Sequence, residues 1–243
     1  MKRLMVAVGY MIILSITPSA WGQRDRGTRT LLFKNQSQIA SNVCVYQSPP
    51  KTSPTEAITL AWFCQSFPQK LEGGISQVVF QWTEDDYSFV LTQRGKLASG
   101  ITFTTSQAIP ANLKTANEVT LTKHSLGTYS FTDQKQGSEP NLLFINQDRT
   151  ISFNEVFVGI GMAGSATTFV QGLPNVTTIF ELNKKHTYNI FWGNYTAGQV
   201  LNINEITNQA KIEFKDNINS VTAILYEDMT WCVEQTQEAK CKE

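Results

Sequence analysis

Short runs of β-branched and aromatic residues recur about every ten residues along this chain, with turn-forming residues between them. Several runs alternate apolar and polar positions, as in VTLT at 119–122, which is typical of a strand with one buried face. The pair Gly73-Gly74 and other connections that contain Asn, Asp or Gly separate the runs. The predicted strands are 42–46, 58–63, 75–82, 87–92, 101–105, 118–123, 129–132, 142–146, 156–162, 167–171, 177–182, 188–192, 211–214 and 221–227.

Helical periodicity is nearly absent from the chain. Only residues 108–118, with Pro110 in a suitable first-turn position, predict a short helix. Strands without helices between them exclude a doubly wound parallel sheet and favour a sandwich or a closed barrel. We predict an all-β fold, an antiparallel β-sandwich. Because no long linker or internal repeat interrupts the pattern, we expect a single domain over residues 23–243, ending in a short C-terminal tail at 232–243.

The first residues have the features of a cleavable signal peptide. A basic head, MKR, precedes an uncharged run at residues 5–16, and Pro18 interrupts the chain before Ala20-Trp21-Gly22, which fits a small-x-small cleavage site. This predicts a signal peptide at residues 1–22 and a mature chain that starts at Gln23. The twelve-residue run is shorter than the roughly twenty residues that span a bilayer. We therefore expect no stable transmembrane anchor and a secreted or periplasmic protein.

All four cysteines, Cys44, Cys64, Cys232 and Cys241, lie in the predicted mature chain. An even number of cysteines in an oxidising compartment suggests two disulfides. Of the three possible pairings we favour Cys44 with Cys64 and Cys232 with Cys241, because each pair is close in sequence. Their spacings do not resemble the ligand pairs of a zinc site, so we predict no metal. Free buried cysteines are the alternative if the compartment is reducing.

Three Asn-x-Ser/Thr triplets begin at Asn35, Asn175 and Asn194. They would be N-glycosylation sites only in a eukaryotic host that exports the protein.

Charge narrows the possible partners. Twenty basic residues balance twenty acidic ones, which argues against binding a polyanion through bulk electrostatics, so we expect no nucleic-acid partner.

Gly159, Gly161 and Gly164 form a G-x-G-x-x-G string after a predicted strand. A dinucleotide site needs a helix that begins inside this string, because the helix N-terminus holds the pyrophosphate. Here the β-prone residues 167–170 follow instead. We predict that these glycines shape the backbone and that the protein has no cofactor.

Candidate catalytic groups are few. Two histidines, His124 and His186, lie in polar surroundings, and no nucleophile elbow of the G-x-S-x-G type occurs. The acidic cluster Glu84-Asp85-Asp86 could supply paired carboxylates, although such clusters are more often solvated turns. We predict no catalytic residues and no enzyme activity.

Tryptophans offer candidate binding residues. Trp62, in LAWF at 60–63, fits a core position, whereas Trp192 precedes a predicted turn, Gly193-Asn194-Tyr195. An exposed aromatic at a stiff turn is a good platform for a sugar or another apolar surface. The predicted ligand-binding residues are therefore Trp192, Asn194 and Tyr195.

Several short strings occur in the same order as in a known protein family. They are LAWF at 60–63, FQWT at 80–83 with YSFV at 87–90, VGIGMAG at 158–164 with TFVQ at 168–171, GNY at 193–195, GQVL at 198–201, ITNQAKI at 206–212 and VTAIL at 221–225. Over about residues 31–231 the chain resembles the rhizosphere-induced protein family, RhiA. The resemblance implies a single β-rich protein of root-associated and other bacteria, connected with plant contact and cell-density control. It implies no catalytic activity and supplies no catalytic residues. The leader and the cysteine-containing tail depart from the family pattern and indicate an exported, oxidised variant.

Together these features predict a secreted, non-catalytic binding or interaction module, involved in plant–microbe contact, that recognises an unknown glycan or surface component of a host, a neighbouring organism or the cell envelope. The prediction allows an oligomer. A secreted hydrolase with an unrecognised carboxylate site is one alternative, and a membrane-inserting β-rich oligomer is another.

Overall fold

The computed structural model describes residues 27–67, 76–93, 98–183, 186–215, 218–235 and 241, so the predicted signal peptide lies outside the described residues. The described residues form no α-helix and only one single-turn 3-10 helix, Ile203–Glu205. The strands are β1 (Thr28–Asn35), β2 (Ser41–Gln47), β3 (Lys51–Ser53), β4 (Ile58–Thr59), β5 (Phe63–Phe67), β6 (Ser76–Thr83), β7 (Tyr87–Thr92), β8 (Gln107–Pro110), β9 (Glu118–Lys123), β10 (Tyr129–Lys135), β11 (Leu142–Gln147), β12 (Phe157–Met162), β13 (Ser165–Gln171), β14 (Val176–Glu181), β15 (Thr187–Gly193), β16 (Gln209–Glu213), β17 (Ser220–Leu225) and β18 (Trp231–Glu234).

These strands form four sheets. Sheet A has the order β18-β17-β1-β6, sheet B β16-β15-β2-β5, sheet C β10-β9-β11-β14-β3, and sheet D β4-β13-β12-β7-β8. The all-β prediction is confirmed. Most pairings are antiparallel, but β1 pairs with β17 and β9 with β11 in parallel.

The sheets pack as two pairs of layers. Phe33 of sheet A contacts two aromatic side chains of sheet B, Phe67 at 5.1 Å and Trp192 at 5.7 Å between ring centroids. Phe89 of sheet D contacts Phe131 of sheet C at 6.1 Å. Aromatic and aliphatic side chains from the inner faces fill the space between the two sheets of each pair, as in a sandwich.

One cluster of buried apolar side chains joins all four sheets, because the chain passes repeatedly between the two pairs. The passages run from β2 to β3, from β4 to β5, from β6 to β7 and from β14 to β15. Trp62 lies on the second passage, is 2 % exposed as predicted for a core residue, and donates its indole N–H to the Met162 carbonyl at 3.1 Å.

Loops cover the outer face of sheet D. Phe103 packs against Phe157 and Phe169 there, at 5.5 and 5.9 Å between ring centroids. The predicted strand at 101–105 is wrong: this segment makes a single bridge, Thr102 to Gln199, and otherwise runs over the sheet. Its apolar residues cover a sheet face instead of extending a sheet.

The predicted helix at 108–118 is also wrong. Residues Gln107–Pro110 form the edge strand β8, which pairs with β7. A turn follows, in which the Asn112 side chain accepts hydrogen bonds from the backbone N–H groups of Lys114 and Thr115. Asparagine commonly stabilises turns in this way, and here that local bonding replaces a helix.

The glycine string forms a hairpin between β12 and β13. Its two-residue turn has positive φ at Ala163 (49°) and Gly164 (79°), as a type I′ turn requires. A Cβ at Gly159 would lie 1.9 Å from the Thr168 carbonyl oxygen, so the facing strand approaches too closely for any side chain. The strand β13 follows where a dinucleotide site would need a helix.

Candidate binding cleft

Trp192, the central residue of the predicted binding loop, lies in the core. It is 6 % exposed, and its ring contacts Phe33 and Phe67 at 5.7 and 6.3 Å. Residues two apart in a strand share a face, and Trp192 shares the inner face of β15 with Tyr188 and Ile190. The predicted exposed aromatic tip is therefore wrong for Trp192.

The two neighbouring candidates have different environments. Asn194 is exposed. Tyr195 is half-buried: its ring contacts Phe191 at 5.0 Å, and its carbonyl accepts a hydrogen bond from the Asn42 side chain at 2.6 Å. Tyr195 thus anchors the chain to sheet B, and Asn194 alone of the three is exposed.

Residues 194–207, here called the covering segment, lie over the outer faces of sheets B and D. Leu201 and Ile206 pack with Cys44 and Phe191 on sheet B, and Val200 packs in the cluster on sheet D. Sequence reasoning identified the start of this segment but not its path, because apolar residues in a loop give no periodic signal.

A cleft of about 530 Å³ lies beside the covering segment. The connection from β3 to β4, the end of β13 and the 3-10 helix of the covering segment form its walls. Ile58, Leu201 and Ile203 supply an aliphatic part of the lining. No aromatic side chain is among its described lining residues, so an aromatic platform of the predicted kind does not form here.

Amide side chains supply the polar part of the lining. Asn202 and Asn204 make no side-chain hydrogen bond to any residue that the structure describes, and Gln171 makes only long ones, of 3.4 and 3.5 Å, to backbone carbonyls. The hydroxyls of Thr55 and Thr59 are buried without a hydrogen-bond partner in the described structure. The Asn202 and Asn204 amides therefore give the cleft unused hydrogen-bonding capacity next to apolar surface.

Glu56 is the only ionisable side chain among the described lining residues. It is exposed at the edge of the β3–β4 connection. A single carboxylate beside neutral amides makes the cleft suitable for a neutral ligand with many hydroxyl groups.

A second polar cluster forms where the chain passes between the sheet pairs. The two His186 ring nitrogens lie 3.0 Å from Gln47 Nε2 and 2.8 Å from the Tyr87 hydroxyl. Asp85 Oδ1 lies 3.7 Å from His186 Nε2. The structure thus brings together the histidine and part of the acidic run that sequence reasoning considered separately.

Glu84 completes this cluster on the other side. Its carboxylate forms a 2.7 Å ion pair with Arg29, and Tyr188 OH lies 3.5 Å from Glu84 Oε1. Burial raises the pKa of the Tyr87 hydroxyl, and the nearby Asp85 charge raises it further. Burial likewise raises the pKa of Tyr188. Because these groups bond mainly to one another and connect β1, β2, β7 and β15, we interpret the cluster as a structural link.

The remaining predicted positions are distributed over the surface and the core. His124 is exposed, with Nε2 2.6 Å from Ser130 Oγ. Asn35 is fully buried, and its side-chain oxygen accepts hydrogen bonds from Ser37 N and Oγ. Glycosylation of Asn35 in the folded protein is therefore excluded, whereas Asn175 and Asn194 are exposed.

The Cys44–Cys64 disulfide is confirmed and joins facing residues of β2 and β5. Cys232 of β18 is bonded to Cys241. Within the described parts of the chain, no group of three or more His, Cys, Asp or Glu residues is placed to hold a metal ion. Those parts also contain no helix with the length and apolar character needed to cross a membrane.

Comparison with known proteins gives the family. The RhiA family model matches residues 27–236. The chain is 33 % identical over 208 residues to Protein RhiA of Rhizobium leguminosarum bv. viciae, covering 85 % of this chain and 86 % of that protein. No solved structure matches it. The match extends across all four sheets, and the chain therefore belongs to the RhiA family.

Proposed function

We propose that this RhiA-family protein is a non-catalytic binding protein that works outside the cytoplasm. Its ligand is a neutral, hydroxyl-rich molecule, most simply a glycan of a host, a neighbouring organism or the cell envelope. The observation that supports this most directly is the cleft beside the covering segment, in which free amide groups lie next to aliphatic side chains.

The chemistry of the cleft favours binding over hydrolysis. Binding sites typically combine apolar walls with a few placed polar groups, and Asn202, Asn204 and Gln171 supply such groups here. Glycosidases generally place two carboxyl groups across the scissile bond. Among the described lining residues only Glu56 has a carboxylate, so a second one would have to come from elsewhere.

The disulfides support a place outside the cytoplasm. Cys44 is completely buried, and its bond to Cys64 lies beneath the covering segment. Such structural disulfides form and persist in oxidising compartments. The leader-like sequence at residues 1–22 agrees with export.

A glycan array probed with the mature protein tests the binding proposal. We expect binding to a neutral oligosaccharide, weakened about tenfold or more by the double substitution Asn202→Ala, Asn204→Ala, because each lost hydrogen bond leaves a ligand group unpaired. Asn175→Ala, a change at an exposed asparagine away from the cleft, is the matched control and should bind normally.

Two results would contradict the proposal. Loss of binding in Asn194→Ala with normal binding in the double variant would assign the ligand to the turn after β15. Turnover of a bound glycan, abolished by Glu56→Gln, would replace binding with hydrolysis.

N-terminal sequencing of the protein from its natural cell tests the location. We expect a mature chain that begins near Gln23 in the extracellular or periplasmic fraction. Retention of Met1 in cytosolic protein would contradict export.

A further inference from the structure

Leu126 and Phe153 are the two most exposed large apolar side chains of the described chain. They are 91 % and 65 % exposed. Single exposed apolar residues are common on protein surfaces, so their meaning depends on where they lie and on how firmly they are held.

Both residues lie at the same end of sheet C. Leu126 is in the turn from β9 to β10, and Phe153 is in the connection from β11 to β12. Because β9 and β11 are parallel neighbours, the connections that follow them leave sheet C at the same end. Two hydrogen bonds join the last residue of β9 to the connection after β11: Lys123 N to Thr150 Oγ1 at 2.9 Å, and Lys123 Nζ to Ser152 Oγ at 3.1 Å.

This end is remote from the polar link between the sheet pairs. The strand β7 begins at Tyr87, which contacts His186 in that link, and ends at Thr92. Thr92 pairs with Phe157, the first residue after the connection that contains Phe153. Leu126 and Phe153 therefore project from an outer end of the molecule.

The two connections are well ordered by their own contacts. In the first, His124 N bonds to the Thr128 carbonyl at 2.8 Å, and Gly127 has a φ of 78° that suits the turn. In the second, Ile151 and Val156 on either side of Phe153 are buried, with 3 % and 0 % exposure. The exposed side chains thus stand on fixed turns and lose little conformational freedom when they dock.

The surroundings of the two side chains fit a lipid surface better than a protein partner. Small or polar residues flank both: Ser125 and Gly127 on one turn, Ser152 and Asn154 on the other. A stable protein interface buries about 800 Å² per partner around a continuous packed centre. A bilayer, by contrast, accepts separate apolar side chains while the polar backbone stays among the headgroups.

Basic groups lie behind the apolar ones. Acidic groups accompany them: Lys123 is paired with Glu155, with its pKa raised chiefly by that hydrogen bond, and the Asp148 carboxylate lies near enough to Arg149 for that charge to help lower its pKa. Arg149 and His124 are exposed. We propose that this end of the molecule docks on a lipid bilayer, with Leu126 and Phe153 inserted at the level of the upper acyl chains and Arg149 among the phosphates. The proposal is independent of the glycan cleft, which uses none of these residues.

Vesicle sedimentation with the mature protein tests this docking on lipid. Two lipid compositions are used, phosphatidylcholine alone and an equimolar mixture with phosphatidylglycerol. We expect binding to both with similar strength, because acidic groups accompany the basic ones around the inserted side chains. The double substitution Leu126→Ser, Phe153→Ser should lower the partition coefficient about tenfold or more for each side chain removed, because each burial is lost. Ile39→Ser, which removes a side chain that is 50 % exposed in the β1–β2 connection, is the matched control and should bind as the unchanged protein does.

Fluorescence quenching gives a second test, of whether the side chain at position 153 enters the bilayer. Phe153→Trp should show additional tryptophan fluorescence that brominated lipids quench. Failure of the unchanged protein to bind either vesicle would overturn the proposal. So would normal binding of the double variant, or binding confined to the mixture and abolished by Arg149→Gln, which would show purely electrostatic adsorption.

Discussion

At the scale of single residues, burial decides which polar and aromatic side chains can bind a ligand or be modified. Trp192 and Asn194 are separated by a single residue, yet Trp192 is in the core and Asn194 is exposed to solvent. Asn35 and Asn175 likewise share a sequence motif, and only Asn175 can be reached from outside. A residue type therefore suggests a role only after its environment is known.

Trp192→Ala should destabilise the protein by about 3–5 kcal/mol, because the change leaves a cavity between Phe33 and Phe67. Urea denaturation followed by circular dichroism would measure this. Asn194→Ala should stay within about 0.5 kcal/mol of the unchanged protein. Equal stability of the two variants would show that Trp192 is not packed as described.

At the scale of elements, close approach and turn geometry define the β12–β13 hairpin. Its pairing shifts between Ile160 and Gly161, a bulge beside the closest contact. Bulges and strand glycines commonly occur together where another backbone approaches closely.

Gly159→Ala should cost about 3 kcal/mol or more, because the new methyl group would meet the Thr168 carbonyl oxygen at 1.9 Å and neither backbone can move easily. Gly164→Asn is the control. Asparagine tolerates the positive φ of the turn, and nothing lies near a Cβ at Gly164, so this variant should be much less affected. Thermal unfolding of both proteins would reveal the difference, and similar melting temperatures would contradict the close contact.

At the scale of the whole molecule, the link around His186 joins the two sheet pairs. It combines Gln47 from sheet B, Tyr87 from sheet D and, through Glu84, Arg29 from sheet A. Ionisation of a buried group in this link should therefore weaken the contact between the two sheet pairs.

The two buried tyrosines predict a loss of stability in alkali. Free tyrosine has a pKa of about 10, and burial raises the pKa values of Tyr87 and Tyr188 in the folded protein. Their contribution is therefore complete below about pH 10 and is lost as pH rises towards the folded values, because the unfolded chain releases protons first. Each tyrosine should lower the free energy of unfolding by about 1.4 kcal/mol per pH unit above that point.

Urea unfolding at a series of alkaline pH values would measure the slope, and Tyr87→Phe should reduce it. An unchanged slope in this variant would show that Tyr87 ionises in the folded state.

The sequence by itself determined the secondary-structure class and most strand positions, because β propensity and turn chemistry are local properties. Sequence proximity favoured the Cys44–Cys64 pairing among three possibilities, and the structure selected it. It also placed Trp62 in the core. Alternation shows that residues share a face but does not say which face is buried, so the orientation of Trp192 required the packing of β15 against sheet A.

The tertiary structure alone decided the long-range features. No strand is predicted at Thr28–Asn35, yet β1 lies inside sheet A because β17, almost two hundred positions away in sequence, pairs with it in parallel. The covering segment and the cleft beside it form because apolar residues of non-periodic loops pack on the outer faces of sheets B and D. Such contacts depend on where distant parts of the chain meet, and no local pattern specifies that.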